Sequence, residues 1–309
     1  MRATWLDAAT IVPMLHLLFA LLVAPRVFLI PGSFVAGQQP DGNTVVFRGD
    51  RGLLVVDTGR HASHTRKIVD FAHEQKLPVT AVVNTHWHLD HIGGNALLRR
   101  EYPHVRIYAS DALAEARKGF LASYAKQLEE MIAKKPDATY STELQLVRNA
   151  DALMPDVVIG KSQQLTLAGH RLDVHLERNA VTAGDVWLYE PSTRVLVAGD
   201  LVTLPALFLD TACPSKWQAA LDGVAKVDFE TVIPGHGAPM TRADFERYRT
   251  AFKNLIECTE MEQTCVELWL RDAKPLLKNE DAERVRSIVH YYIGNVLRGD
   301  PAKLRERCD

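Results

Sequence analysis

The stretch NTHWHLDHIGG, residues 84–94, sets three histidines and an aspartate within six consecutive positions. It follows VTAVV, an apolar run rich in β-branched residues, of the kind that forms a strand buried on both faces. His86 and His88 lie two apart, so on extended backbone both rings leave the same face. Asp90 and His91 follow at the turn into a helix that GGNALLRREY begins, and they approach from a second direction. The Gly93–Gly94 pair lets backbone come close. Four nitrogen and oxygen donors converging at a rigid strand end suit a divalent cation. Imidazole with carboxylate favours zinc first, then iron or manganese. A lone histidine is usually a packed side chain, but packing does not explain three with an aspartate at this spacing.

Outward from this stretch, strands and helices alternate. NTVVFRGDRGLLVVDTG reads as a hairpin turning at Gly49-Asp50-Arg51-Gly52, with a helix over residues 61–75 after it. VRIYAS is a further strand, and residues 111–135 have a helical pattern. DVVIG, QQLTLAGHRLDVHLE and DVWLYEPSTRVLVAGD form a run of hairpin-linked strands, SKWQAALDGVAKV a helix, and TVIPGHG a strand ending in a tight turn. Residues 241–272 and 280–297 are helical. Two similar halves of this kind suit two packed sheets with helices on their outer faces.

Composition narrows the partners. The chain has 309 residues, 47 % apolar and 24 % charged, with a formal net charge of −2. Basic residues are scattered without runs or aromatic interleaving, so nucleic acid is excluded as a partner and a small-molecule substrate is expected.

The order of motifs resembles the metallo-β-lactamase fold superfamily of metallohydrolases. His-x-His-x-Asp-His at residues 86–91 carries the resemblance, with LVVDTG and Asp57, LVAGDLV and Asp200, and VIPGHG and His236 following in the family's order. The resemblance covers about residues 26–240 and implies an α/β four-layer αβ/βα sandwich, with ligands along one edge and a C-terminal helical extension over residues 241–309. It implies one metal on His86, His88 and a third histidine, and another on Asp90, His91 and His236, with Asp200 bridging. Hydrolysis by metal-activated water is the implied chemistry.

One position departs from the family. The third histidine belongs where NAVTAGDVW places Val181, and valine ligates nothing. The first site is therefore expected to be incomplete, with His175 or Asn179 as substitutes only after a loop rearrangement. By analogy with family members that use the second site alone, His86 and His88 would orient the attacking water and act as general bases, with Asp90 divided between ligation and steering that water. The alternative is a metal-containing binding or accessory protein with little turnover. The apolar loop over residues 201–217 is expected to line the cleft, and Trp269, Tyr291 and Tyr292 to pack in the core.

IVPMLHLLFALLVA, residues 11–24, has the length of a signal-peptide core but is shorter than the roughly 20 residues of a membrane span. Asp7 and Pro13 fit that reading poorly, and the alternative is a buried N-terminal segment or an uncleaved anchor, the one membrane contact foreseen. A periplasmic or secreted protein is expected, with a cytoplasmic one as the alternative. Cys258 and Cys265 would lie roughly 10 Å apart on a continuous helix, beyond the reach of about 7 Å for a disulfide. Cys308 is therefore expected to pair with one of them, and Cys213 to be a small core residue.

Overall fold

The computed structural model describes residues 20–35, 38–278 and 280–309. The first sheet takes its strands in chain order: β1 (Leu21–Ala24), β2 (Val27–Ile30), β3 (Thr44–Arg48), β4 (Leu53–Val56), β5 (Val79–Val83), β6 (Arg106–Ala109) and β7 (Val157–Val158). The second runs β8 (Gln163–Leu167), β9 (His170–Glu177), β10 (Asp185–Glu190), β11 (Val195–Thr203), β12 (Thr231–His236) and β13 (Met240–Thr241). Alternation along the strands builds the layers. Val45, Phe47, Leu54, Val56, Ala81 and Val83 meet Val186, Leu188, Val195, Val197 and Ile233 between the sheets. The intervening Val46, Leu53, Val55 and Val82 face outward onto Ile68, Phe71 and Leu98, which belong to α1 (Ala62–Gln75) and a later helix. Period-2 patterning with both faces apolar leaves each sheet no alternative to a helix layer outside and a second sheet inside. The four-layer αβ/βα sandwich follows.

Short helices α2 (Leu89–Ile92) and α3 (Asn95–Glu101) follow β5, and α4 (Ala112–Lys118), α5 (Phe120–Lys134) and α6 (Ala138–Arg148) form a separate apolar cluster with Trp87 and Leu89. The helix expected over residues 111–135 is thus two, parted at Gly119. A third, α6, was not foreseen in the sequence. Asp137 starts it by accepting hydrogen bonds from the Thr139 and Tyr140 amides.

Helices α7 (Pro214–Val224), α8 (Arg242–Ile256), α9 (Glu262–Asp272) and α10 (Ala282–Tyr292) cover the second sheet, and α11 (Pro301–Cys308) ends the chain. Thr241 and Asp244 cap α8 reciprocally. The expected continuous helix over residues 241–272 is broken after Ile256, and the break brings the Cα atoms of Cys258 and Cys265 to 5.8 Å in a disulfide. Cys308 pairs instead with Cys213, Cα to Cα 5.0 Å. Both cysteine expectations are corrected: no Gly or Pro marks the helix break, and Cys213 is brought to Cys308 only by tertiary packing. Trp269 is fully buried as expected, whereas Tyr291 is half exposed.

Of the proposed leader, residues 1–19 lie outside the described residues. Leu21–Ala24 pairs antiparallel with β2 as the edge strand, so a leader ending at Ala24 would take that strand with it. Among the described residues no helix is long and apolar enough to cross a membrane.

Removing the Cys213–Cys308 bridge with paired serines is expected to cost about 2–4 kcal/mol in urea unfolding, and more than removing Cys258–Cys265. The first closes a 95-residue separation and the second one of 7, and the unfolded chain regains more freedom from the longer loop. Equal losses would show that loop length does not set the effect.

Candidate metal centre

The parallel pairs β4–β5 and β11–β12 send their carboxyl ends toward one edge. There Asp57 leaves β4, residues 84–91 leave β5, Asp200 lies near the end of β11 and His236 closes β12. A register shift at Gly199, where φ is +54°, interrupts the β11–β12 ladder just before Asp200, and such bulges re-aim the side chain that follows. Gly235 has no side chain for a steric reason: a Cβ there would lie 2.0 Å from Asp200 Oδ1. Asn43 holds the His236 turn, its amide donating to the carbonyls of Pro234 (2.9 Å) and Gly237 (2.8 Å).

All six sequence-predicted ligands meet, in two groups whose donor atoms lie within 4.8 Å of one another: His86, His88 and Asp200, and Asp90, His91 and His236. Asp200 spans them. Its Oδ2 is 3.8 Å from His86 Nε2, and its Oδ1 is 3.3 Å from His91 Nε2 and 3.6 Å from His236 Nε2. Oδ1 is nevertheless buried without a hydrogen bond. His236 Nε2 lies 3.0 Å from Asp90 Oδ2.

Hydrogen bonds at the periphery fix which nitrogens face inward. Thr85 Oγ1 donates to Asp57 Oδ2 (2.7 Å), so it accepts from His86 Nδ1 (3.0 Å). Thr211 Oγ1 donates to the Val181 carbonyl (2.9 Å), so it accepts from His88 Nε2 (3.0 Å). His86 Nε2 and His88 Nδ1 are then both acceptors, and they face each other at 3.0 Å. Two lone pairs at that distance repel unless a proton or a metal ion lies between them. Ligands of tetrahedral zinc stand about 3.3 Å apart, so the spacing fits a metal ion. His91 Nδ1 donates to Asp57 Oδ2 (2.8 Å), which leaves its Nε2 for the centre. Metal-binding histidines are commonly oriented in this way through their other ring nitrogen.

Charge follows the same division. Burial, with His91 and His88 nearby, holds His86 well below the usual histidine range, and burial lowers His88 to about 4. Both are neutral and ready to ligate. Burial also opposes charge on His91, but Asp200, Asp57 and Asp90 outweigh it and raise its pKa well above the ordinary value. His236 is raised against burial by Asp200 and Asp90. Asp200 and Asp90, though buried, are held below the carboxylate range by His91 and His236. In that half of the site protons occupy the place of a cation.

A family model described as the metallo-beta-lactamase superfamily matches residues 38–236. The chain belongs to this superfamily. Linear primary-alkylsulfatase from Pseudomonas sp. is 27 % identical over 221 residues, which are 62 % of this chain and 40 % of that one. Atrochrysone carboxyl ACP thioesterase from Aspergillus fumigatus is 32 % identical over 87 residues, 28 % of each chain. The chain thus spans less than half the length of these superfamily relatives. Among solved superfamily structures, the metallo-beta-lactamase from Pontibacter korlensis aligns over 76 % of this chain and 98 % of its own, with TM-score 0.57 and 20 % identity. That from Hirschia baltica aligns over 75 % and 95 %, with TM-score 0.55 and 18 % identity. These likenesses concern the fold.

Val181 is fully buried in the apolar cluster beneath α7–α10. Its amide and those of its neighbour's turn are held in place: Asp185 accepts from Val181 N (2.9 Å) and from Thr182 N and Oγ1. Of the two proposed substitutes, His175 does not reach the centre. His175 stacks on Trp187 at 3.7 Å and is in neither donor group, and Asn179 occupies a left-handed turn with φ +58°.

Sequence reasoning missed the pair beside Asp90. Arg60 Nη1 is 4.0 Å from Asp90 Oδ1, and Arg60 is gripped by Glu143 of α6 at 2.5 Å (Nη2) and 3.1 Å (Nε). The two are 83 residues apart and follow no motif. Thr211 was within the expected cleft loop, although nothing singled it out.

Metal uptake must expel the protons on His91 and His236. Affinity is therefore expected to rise with pH through and above the ordinary histidine range, with protons released on binding. Chelator competition with parallel calorimetry in two buffers measures both. A flat profile would mean that these histidines do not ligate.

Proposed function

We propose that the chain is a metal-dependent hydrolase acting on a small-molecule ester, thioester, lactam or related substrate. The single observation that carries this is the facing pair of imidazole lone pairs beside the unpartnered Asp200 oxygen, at the floor of an open cleft. A divalent metal, zinc or else iron or manganese, would supply an activated water and polarise the scissile group when bound. Asp90, His91 and His236 would hold one ion with Asp200 shared, while His86 and His88 hold a second with only Asp200 to supplement them. Val181 supplies no third imidazole, so the first group is the weaker.

The residues' own tasks follow from their places. Asp90 lines the cleft with Arg60 beside its Oδ1. That cation favours the charged carboxylate, which accepts a proton from the attacking water and delivers it to the leaving group. His88 also lines the cleft, and with its Nε2 committed to Thr211 its Nδ1 is the nitrogen that would hold the second ion, or orient the water where that ion is absent. The named activities of the sulfatase and thioesterase relatives support hydrolysis at an acyl or sulfate centre. The two disulfides support export to an oxidising compartment, periplasmic or extracellular.

The reading is tested by metal analysis beside turnover on ester, thioester, lactam and sulfate-ester panels. Asp90→Ala and His236→Ala should lose metal and at least about 10²-fold in kcat/KM, whereas His86→Ala should keep most of the metal. Tightly bound metal without turnover on any panel would favour a binding or accessory protein. Metal lost from His86→Ala but kept in His236→Ala would reverse the assignment of the stronger group.

A further inference from the structure

We propose that the cleft selects substrates by a straight apolar chain, attached to the hydrolysed group and carrying no charge of its own. This rests on the hydrolase reading for the location of the reacting end. The cleft has a volume of about 420 Å³ and opens directly over His88, Asp90, Asp200 and His236. Its walls begin at a ligand. The His88 ring meets Trp87 at 4.7 Å and Phe208 at 4.9 Å, both edge-on. Trp87 leads to Phe120 at 5.3 Å, and Phe208 to Tyr292 at 6.0 Å. Two aromatic walls therefore run outward from the reacting centre, and Phe120, 43 % exposed, stands at the mouth.

Apart from the neutral Gln39 and Thr203, the polar groups along the cleft are committed elsewhere. Among the described residues Arg60 is the one arginine or lysine of the lining, and its guanidinium is engaged by Glu143. Tyr124 donates its hydroxyl to Glu143 and Tyr292 to Asp210, each at 3.3 Å. Both tyrosines thus turn their hydroxyls to other acceptors. The lining carboxylates Asp90 and Asp200 belong to the metal centre. A charge on the far part of a substrate would lose water and find no free charge of opposite sign in the lining, which is unfavourable. An apolar chain loses nothing and buries surface on both walls.

The wall is also held in shape. The Cys213–Cys308 bridge and a hydrogen bond from Arg307 Nη1 to the Leu209 carbonyl (2.9 Å) tie the cleft loop to α11. A preformed slot does not have to order itself around each ligand.

Binding can be read without turnover. The purified protein is loaded with the neutral fluorophore N-phenyl-1-naphthylamine, which is then displaced by straight-chain primary alcohols of increasing length. Affinity is expected to rise about three- to fourfold per methylene until the slot is full, which corresponds to about 0.8 kcal/mol per CH₂. An amino-alcohol of equal length, with its ammonium at the far end, should bind about tenfold or more weakly. Phe120→Ala, at an exposed position that leaves the core intact, and Ala206→Trp, which fills the slot, should both flatten the length dependence. In turnover, p-nitrophenyl acyl esters and n-alkyl sulfates then tell whether the chain is carried on an acyl or a sulfate group. Affinity independent of chain length, or equal binding of the amino-alcohol, would overturn the proposal. Length-dependent binding with no hydrolysis of either series would uphold it and defeat the hydrolase reading instead.

Discussion

The rest of the molecule depends on burying three carboxylates, Asp57, Asp90 and Asp200, beside the imidazoles of His86, His88, His91 and His236. Carboxylates out of water must be compensated by positive charge or by hydrogen bonds. Asp57 is satisfied locally, by the Thr85 amide and hydroxyl and by His91. Asp90 and Asp200 are compensated by imidazoles that can carry a proton or share a metal. Two sheets that present their carboxyl ends at one edge bring these groups together, and the missing side chain at Gly235 makes room for Asp200. The sandwich is in this sense a frame for one cationic site.

Much of that frame was legible in the sequence because it rests on local pattern. Residues 45–47 and 53–56 alternate between two apolar layers, and the Gly49–Gly52 turn closes between them through a 3.0 Å amide bond. The six ligands were legible for a related reason: four lie in one short segment, Asp200 sits late in β11 and His236 ends β12. What escaped reading depends on distant partners. The helix break after Ile256 has no glycine or proline and is tied to the Cys258–Cys265 bridge. The engagement of Arg60 by Glu143 needs α6, whose sequence offers no strong apolar face to announce it, and Cys213 meets Cys308 across the fold.

Val181 stands in a turn that its backbone and Asp185 hold together. The turn around it is held by hydrogen bonds from the Val181 and Thr182 amides to Asp185. The Val181 carbonyl still contributes, since it fixes the Thr211 proton and through it the free nitrogen of His88. The nearest donor for the first group is then Asp200 Oδ2, on a carboxylate whose other oxygen faces the second group. A shared carboxylate couples the two groups, so a cation in one lowers the negative charge available to the other.

The same logic reaches the C-terminal helices, which motif order alone would set aside as an appendage. Val285, Val289 and Ile293 pack in one apolar cluster with Leu196, Val202 and Trp217, so the extension and the second sheet share a core. Tyr292 and Ile288 line the cleft, and Arg307 and Cys308 hold the loop that carries Phe208 and Thr211. An apolar cleft wall exposed to water would tend to collapse onto itself unless it is backed from behind. Here the backing comes from helices some eighty or more residues further along the chain than that loop. Because Thr211 in that loop sets the His88 tautomer, the C-terminal helices support the metal centre as well as the cleft above it.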